Sequence, residues 1–258
     1  MNNKKSKWIV QPNPKANAKI RLFCFPYAGS SAVVTYKYFA DNLPDFVEVC
    51  PVELPGRGTR MGENLIDNIE ELLINISDAM EGWLDKPFML FGHSMGALIS
   101  YELVFKLFEK YKILPNKLYI SAHKAPFLER GGPVMHKLEK SEFVNELKDM
   151  NGIAKELFEH NELMELMLPI IRNDYAVCEN YNYQVRKKLN IPITAFGGIY
   201  DKDVKEEDLK QWATVTNLEF NHILLEGDHF FITKEKEQFL NVFSKILLND
   251  TAKISTDK

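Results

Sequence analysis

A serine of this chain lies in a pattern that suits covalent acyl transfer. Residues 92–96 read Gly-His-Ser-Met-Gly, between an apolar run at residues 88–91 and a helix-forming run at residues 97–103. This arrangement predicts a nucleophile elbow, a sharp turn from strand to helix that exposes the hydroxyl of Ser94. The first backbone N–H groups of such a helix lack intrahelical partners, and that of Met95 can donate to a developing oxyanion.

A serine nucleophile needs a histidine base, and the base needs a carboxylate to orient it. Hydrolases with this elbow supply the residues in the order serine, acid, histidine. Asp201 follows a predicted strand at residues 193–197, and His229 follows the next predicted strand. Ligand sites of open α/β sheets occur at this end of the strands. We therefore predict a Ser94–His229–Asp201 triad, with Asp203 as the nearest alternative acid because a bent loop can absorb two residues.

Five other histidines are weaker candidates for the base. They lie inside a predicted strand, at a strand end, in the elbow itself or in a helical region: His222, His123, His93, His136 and His160. Asp228 precedes His229 directly, and we interpret it as a turn residue because neighbouring side chains along an extended segment diverge.

The second oxyanion donor is expected in the loop after the first strand, where related hydrolases place one N–H. Residues 25–31 read Phe-Pro-Tyr-Ala-Gly-Ser-Ser, and Gly29 permits tight backbone geometry. The backbone N–H of Ala28 or Tyr27 is the predicted donor. The alternative is an ordinary turn before a helix.

Strands alternate with helices along most of the chain. Predicted strands cover residues 20–25, 47–52, 88–91, 117–122, 191–197 and 218–225, and predicted helices cover residues 32–42, 66–84, 97–103, 205–212 and 234–248. The alternation predicts one α/β domain over residues 1–258, with a mostly parallel sheet covered on both faces. Residues 1–18 are expected to be a loose lead-in along the surface, and the residues after Asn249 a frayed polar tail.

The alternation breaks at about residues 125–188. Helical patterns at residues 142–150, 153–159 and 163–178 follow one another there with no strand between them. We therefore predict an inserted helical lid.

Composition restricts the function classes. The chain has 258 residues, 45% apolar content and a net charge of −4, with dispersed Lys and Arg, which disfavours nucleic-acid binding. We see neither a targeting segment nor an apolar run of membrane-spanning length, so we expect a soluble cytoplasmic protein without a membrane partner and, by default, a monomer. Three cysteines without metal-ligand spacing are interpreted as reduced thiols.

Five motifs together carry a resemblance to a known family. They are residues 25–29, residues 53–58 (Glu-Leu-Pro-Gly-Arg-Gly), the elbow, residues 196–204 and residues 229–231. With these motifs the chain resembles a type II thioesterase, the stand-alone editing hydrolase of nonribosomal peptide and polyketide synthases. The resemblance implies an α/β-hydrolase fold, and it carries the triad over to Ser94, Asp201 and His229. Val204, three residues beyond the acid, supports Asp201 over Asp203.

The resemblance also implies a reaction and a partner. The expected activity is hydrolysis of acyl groups from the phosphopantetheine arm of an acyl or peptidyl carrier protein, with no metal or organic cofactor. The lid would shield the acyl chamber, and its apolar residues would either line the chamber or pack the lid onto the body: Phe127, Phe143, Leu157, Met164 and Met167 among others. A basic rim near the lid, or else dispersed solvated charges, is expected from Lys124, Arg130, Lys137 and Lys140.

Other functions use the same residues. A carboxylester hydrolase or lipase would share the triad and prefer free esters. An acyltransferase would pass the acyl group to an acceptor other than water. A non-catalytic binding protein on a hydrolase scaffold usually has a triad position replaced, and all three are present here.

Overall fold

A computed structural model describes residues 6–150 and 160–256. Within these ranges six strands form one parallel sheet in the order β2-β1-β3-β4-β5-β6. The strands are β1 (Ile20–Phe25), β2 (Val47–Pro51), β3 (Phe88–His93), β4 (Lys117–Ser121), β5 (Ile193–Gly198) and β6 (Phe220–Leu225). The predicted α/β architecture with a parallel central sheet is confirmed.

Helices connect these strands. They are α1 (Ala32–Asn42), α2 (Ile69–Met80), α3 (Met95–Tyr111), α4 (Lys140–Asp149), α5 (Asn161–Glu179), α6 (Glu206–Lys210), α7 (Phe231–Lys234) and α8 (Lys236–Thr256). Short 3-10 turns cover Gly58–Arg60, Glu81–Trp83, Met135–Lys137 and Gln211–Val215. The predicted helix at residues 66–84 begins later, at Ile69, because Asn68 caps it by accepting the N–H of Glu71.

The hydrophobic core lies on both faces of the sheet. Alternate side chains of a strand point to opposite faces, and in β1 Phe23 and Phe25 join one cluster while Leu22 and Cys24 join the other. The first cluster also contains buried residues of α2 and α3, and the second contains those of α1 and α8. These layers hold the sheet rigidly beneath the loops at its ends.

All six strands run in the same direction, so their carboxyl ends meet at one edge of the sheet. Gly92 pairs with Phe25, His93 pairs with Ser121, and Leu225 pairs with Gly198 at this edge. The loops after β1, β3, β5 and β6 therefore lie together. These are the loops that carry the predicted catalytic residues.

The predicted tail after Asn249 is wrong. α8 continues to Thr256, and Asp250 is buried within it. Asp250 accepts hydrogen bonds from the ammonium of Lys117 at 3.1 Å and the hydroxyl of Tyr119 at 2.7 Å. The polar composition was misleading because the acid binds buried polar partners on β4.

The amino-terminal segment is packed more closely than predicted. Ile9 is buried and forms an antiparallel bridge with Val52, and the indole ring of Trp8 lies beneath the guanidinium of Arg60. Apolar and aromatic contacts thus attach this part of the expected lead-in to the loop after β2.

Helices α4 and α5 lie between β4 and β5, in the region predicted to be a lid. Together with the 3-10 turn at Met135–Lys137, they form a separate cluster of buried residues: Met135, Phe143, Leu147, Met164, Leu168 and Ile171. The predicted helix at residues 153–159 lies outside the described residues. The division of the chain into a body and a lid at residues 125–188 stays a prediction.

Candidate active site

Ser94 occupies a strained turn between β3 and α3. Its φ of 53° and ψ of −117° lie outside the ordinary regions for an L-residue, a conformation that costs about 1–3 kcal/mol. A Cβ on Gly92 would lie 2.0 Å from the backbone oxygen of Gly96, and a Cβ on Gly96 would lie 2.2 Å from the backbone oxygen of Phe25. The chain therefore needs glycine at both flanking positions to make this turn.

Three side chains from three loops form one hydrogen-bonded chain. Nε2 of His229 lies 3.0 Å from Oγ of Ser94, and Nδ1 of His229 lies 2.8 Å from Oδ2 of Asp201. A neutral imidazole can donate from Nδ1 to the carboxylate while Nε2 accepts from the serine hydroxyl. In this orientation, Nε2 of His229 can take the hydroxyl proton of Ser94.

Asp201 is held as an ionised acceptor. It is 2% exposed, and its Oδ1 accepts the backbone N–H groups of Asp203 at 2.8 Å and Val204 at 3.1 Å. Burial favours the neutral acid, but the hydrogen bond and charge of His229 and these two donors outweigh it, so the pKa of Asp201 lies below its ordinary value. Asp203, the alternative acid, contributes a backbone donor to Asp201.

His229 is framed by aromatic rings. The ring centroid of Phe230 lies 5.1 Å from that of His229, and the centroid of His93 lies 5.5 Å from it. Nδ1 of His93 lies 2.8 Å from Oγ of Ser121. Burial lowers the pKa of His93 well below its usual value. A neutral imidazole therefore packs beside the candidate base, a role that sequence reasoning missed.

The loop after β1 carries the candidate second oxyanion donors. Tyr27 and Ala28 are half-buried, and the carbonyl of Tyr27 accepts the backbone N–H of Ser30 at 3.1 Å. The carbonyl of Phe25 accepts the hydroxyl of Tyr36 at 2.6 Å. Across the elbow, Ser94 provides no side-chain cap to α3, so the start of that helix offers backbone donors beside the hydroxyl.

The candidate lid residues differ in their surroundings. Phe143 is fully buried and Met164 is 7% exposed, both in the cluster shared by α4 and α5. Met167 packs against that cluster, and Phe127 is 37% exposed with its ring 5.9 Å from that of Tyr183. Leu157 lies outside the described residues. Whether these side chains line an acyl chamber stays a prediction.

The candidate basic rim is largely neutralised. The ammonium of Lys124 lies 3.6 Å from Asp208, and Arg130 lies 3.4 Å from Glu179. Lys140 pairs with an exposed carboxylate, that of Glu165. Such pairs leave little net positive charge, which supports the alternative of dispersed charges.

Two further functional candidates, Arg57 and Asp174, were not predicted to interact. Arg57 and Asp174 are 117 residues apart and form a buried ion pair beside the loop that carries Ala28. Arg57 lies in the Glu-Leu-Pro-Gly-Arg-Gly motif, which supported the family resemblance without indicating a role for Arg57, and Asp174 lies within a helical pattern. The two residues meet because α5 packs against the loops that follow β1 and β2.

Oxygen and nitrogen atoms near His229 could also bind a metal ion. Among the described residues, one group of potential ligands lies within 4.8 Å: Asp201, Asp203 and His229. Both carboxylate oxygens of Asp201 already accept hydrogen bonds, from His229 and from the backbone. This occupancy fits a proton relay better than a metal centre.

Fold and site together define a class of protein. A parallel sheet with a serine elbow after β3, an acid after β5 and a histidine after β6 is the arrangement of an α/β-hydrolase with a serine nucleophile. The family model of the Thioesterase domain matches residues 20–247, and the chain therefore belongs to the thioesterase family.

Individual relatives are similar in sequence over nearly the whole chain. Linear gramicidin dehydrogenase LgrE of Brevibacillus parabrevis is 38% identical, covering 94% of this chain and 93% of that protein. Thioesterase PikA5 of Streptomyces venezuelae is 31% identical, covering 93% and 85%. The solved structure of the type II thioesterase BorB from the borrelidin biosynthetic cluster is 33% identical with a TM-score of 0.84, covering 95% and 99%. The name of the first describes a dehydrogenase, whereas the family and the other two are thioesterases.

These comparisons confirm the resemblance to type II thioesterases that the five motifs indicated, and they confirm the predicted hydrolase activity. In the described part of the chain, no helix is both long and apolar enough to cross a membrane.

Proposed function

We propose that this protein hydrolyses acyl thioesters attached to the phosphopantetheine arm of carrier proteins. The observation that carries the proposal is the hydrogen-bonded chain from Ser94 through His229 to Asp201 at the carboxyl edge of the sheet. Membership of the thioesterase family and likeness to a type II thioesterase from a biosynthetic cluster support the choice of a carrier-bound thioester.

Acylation begins at Ser94. Its Oγ attacks the thioester carbonyl carbon while Nε2 of His229 takes the hydroxyl proton. The carbonyl oxygen becomes an oxyanion that accepts hydrogen bonds from the backbone N–H groups of Met95 and of Ala28 or Tyr27. The carbon–sulfur bond then breaks, and the imidazolium gives its proton to the departing thiolate, which leaves as the free thiol of the arm.

Deacylation repeats these steps with water. His229 takes a proton from a water molecule, whose oxygen attacks the acyl-serine carbonyl. The second oxyanion rests on the same donors, and collapse expels Ser94 Oγ, which regains its proton from His229. Asp201 orients the imidazole and stabilises its charged form in both halves of the reaction, while remaining ionised.

The insertion at residues 125–188 acts as a lid in this proposal. It would exclude bulk water from the acyl-serine and leave a path for the phosphopantetheine arm. Phe127, Phe143, Leu157, Met164 and Met167 are its candidate lining residues. The burial of Phe143 and Met164 within the insertion means that they shape the lid even where they do not touch an acyl chain.

The partner is an acyl or peptidyl carrier protein, and we propose that the enzyme acts on it as a cytoplasmic monomer. Release of stalled acyl units would free the carrier for another loading cycle. Since the basic residues near the lid are mostly paired, we expect weak encounters with limited electrostatic steering. Light scattering with and without loaded carrier measures the oligomeric state directly.

The test is release of a short acyl group from a loaded carrier by the wild type and by Ser94→Ala. Removal of the nucleophile of a triad reduces turnover by about 10⁶-fold. Ser100→Ala is the matched control, because Ser100 is buried on the same helix and donates its hydroxyl to the carbonyl of Ala97. Release at the wild-type rate by Ser94→Ala would refute the mechanism.

A second experiment compares two classes of substrate. The same acyl group is presented as carrier thioester and as a simple oxygen ester, and kcat/KM is measured for each. A higher value for the carrier thioester supports the proposal. A preference for the free ester would instead identify a carboxylester hydrolase with the same triad.

A further inference from the structure

A buried ion pair connects the loop after β2 with helix α5. Nη2 of Arg57 donates to Oδ1 of Asp174 at 2.8 Å, and Nη1 of Arg57 donates to Oδ2. The two side chains are 4% and 1% exposed. A guanidinium that binds both oxygens of a carboxylate fixes the plane and the direction of the acid.

The same carboxylate holds the loop after β1. Oδ2 of Asp174 also accepts the backbone N–H of Gly29, at 2.7 Å. Gly29 directly follows Ala28, so this bond sets the orientation of the peptide next to the candidate oxyanion donors. The close packing leaves no room for a side chain at this position. Gly29 has a φ of +79°, and a Cβ on it would lie 2.6 Å from Cγ1 of Ile171 on α5.

A second residue of the motif at residues 53–58 holds the far end of this loop. Glu53 is fully buried, and its Oε2 accepts the backbone N–H of Val33 at 2.8 Å, in the first turn of α1. Glu53 and Arg57, four residues apart, thus act on opposite ends of residues 29–33, Glu53 directly and Arg57 through Asp174. This joins two motifs that the sequence presents as separate.

The energetics favour a positioning role for the pair. A buried ion pair contributes little stability compared with apolar side chains of similar volume, because both charges must be desolvated. A carboxylate is, however, a stronger acceptor for a backbone N–H than a neutral group, and a guanidinium that binds both of its oxygens fixes its direction. Oxyanion donors act only when the surrounding structure holds them in place before the reaction.

We propose that Arg57 and Asp174 are positioning residues, which hold Gly29 so that the backbone N–H of Ala28 faces the oxyanion on the thioester carbonyl. The inference rests on the proposed function. Arg57 acts by orienting the carboxylate of Asp174, and Asp174 acts by binding the loop. Since α5 belongs to the insertion, the insertion supplies part of the frame of the oxyanion site.

The experiment compares two buried acids. Asp174→Ala and Arg57→Met remove the pair, and Arg57→Lys keeps a charge but loses the fork that binds both oxygens. Asp250→Ala is the matched control, because Asp250 forms a buried ion pair with Lys117 at the opposite end of the sheet. For each variant kcat and KM are measured, together with the thermal unfolding midpoint and the inhibition constant of a trifluoromethyl ketone, which forms a tetrahedral adduct with the serine.

Loss of a well-placed oxyanion donor reduces kcat by about 10²–10³-fold, so misplacement should reduce it by roughly 10- to 100-fold in Asp174→Ala and Arg57→Met. Arg57→Lys should lie between these variants and the wild type. KM should change by less than about threefold, and the inhibition constant of the ketone should rise in parallel with the loss of kcat/KM. Asp250→Ala should lower the unfolding midpoint while kcat and ketone affinity stay near wild type.

Wild-type kcat and ketone affinity in folded Asp174→Ala would overturn the inference, as would equal losses in Asp250→Ala. If Asp174→Ala is unfolded at the assay temperature, kcat and ketone affinity of Arg57→Lys provide the test instead. Ser94→Ala is assayed in parallel to separate the two proposals. An inactive Ser94→Ala with a fully active Asp174→Ala refutes only the positioning role, whereas an active Ser94→Ala refutes the proposed function.

Discussion

Both ends of the parallel sheet bury charged groups, but among the described residues only the carboxyl end combines them with a strained backbone. At the amino end, Lys117 pairs with Asp250 at 3.1 Å, and Arg21 pairs with Glu48 at 3.0 Å. At the carboxyl end, Arg57 pairs with Asp174, which also accepts the backbone N–H of Gly29 in the loop after β1. The same type of interaction therefore occurs in two different settings.

The backbone shows the difference most clearly. Lys112, at the end of α3, has a φ of 58° and a ψ of 29°, an ordinary left-handed helix cap. Ser94, at the start of the same helix, has a ψ of −117°, which no cap requires. Strain persists only where the surrounding structure maintains it, and here it presents a hydroxyl to His229. Buried charges thus accompany ordinary backbone at the amino end, and at the carboxyl end they accompany the strained turn of the proposed nucleophile.

The largest expected effect is on the acid of the carboxyl end. Asp201→Asn should reduce kcat by about 10⁴-fold, because an amide no longer holds His229 in the tautomer that accepts the serine proton. Asp203→Asn is the matched control and should stay within about threefold of wild type, since Asp203 binds Asp201 through its backbone N–H. Single-turnover acyl release measures both. The reverse ranking would show that Asp203 is the acid.

The next effect is on stability at the amino end. Lys117→Met leaves the carboxylate of Asp250 buried without its cation, and removal of one partner of such a pair costs about 3–5 kcal/mol. Urea unfolding should show this loss, with kcat unchanged at a temperature where the variant is folded. A large fall in kcat of the folded variant would break the proposed division between the two ends.

A smaller effect concerns pH and two histidines of the carboxyl end, His93, which is buried, and His123, which is half-buried. Burial lowers the pKa of His123 to about 4 and that of His93 well below its usual value. In the unfolded chain each titrates near pH 6.5, so the unfolded state binds more protons below that pH. The free energy of unfolding should therefore be constant near neutral pH and fall from about pH 6.5 to 4, by at most about 1.4 kcal/mol per pH unit for each histidine.

His123→Gln tests this by urea unfolding at a series of pH values. Its loss of stability between pH 6.5 and 4 should be smaller than that of the wild type, because one of the two contributions is removed. His160→Gln, at an exposed position before α5, should follow the wild-type curve. Parallel curves for His123→Gln and wild type would contradict the prediction.

The smallest effect is expected on the exposed surface of α4 and α5. Lys140→Gln breaks an exposed pair with Glu165, and such pairs contribute about 0–1 kcal/mol. Stability should change by less than about 0.5 kcal/mol, and KM for a loaded carrier by less than about twofold. A strong salt-sensitive rise in KM would instead show that this charge guides the carrier.

The predictable part of the site came from local patterns. The Gly-His-Ser-Met-Gly pentapeptide imposes the turn around Ser94 because its glycines alone fit against neighbouring backbone. His229 could be selected because it follows a strand downstream of an acid. The pairing of Arg57 with Asp174 could not be predicted, since nothing near either residue indicates a partner 117 positions away.

Composition was a poor guide where polar residues find buried partners. The segment after Asn249 has the composition of a solvated tail, yet Asp250 is buried against Lys117 and Tyr119. Likewise, Asp201 and Asp203 are indistinguishable by type and nearly so by position. Only their surroundings differ: the carboxylate of Asp201 faces His229, whereas Asp203 offers a backbone donor.

By itself, the sequence determined the alternation of strands and helices, the position of the elbow and the order of serine, acid and histidine. These features depend on side-chain periodicity and on the conformational limits of single residues, which are local properties. The tertiary structure decided which acid faces the imidazole and which charges are buried together. Those outcomes depend on how distant segments pack against the sheet, because a buried charge is tolerated only where another part of the chain supplies its partner.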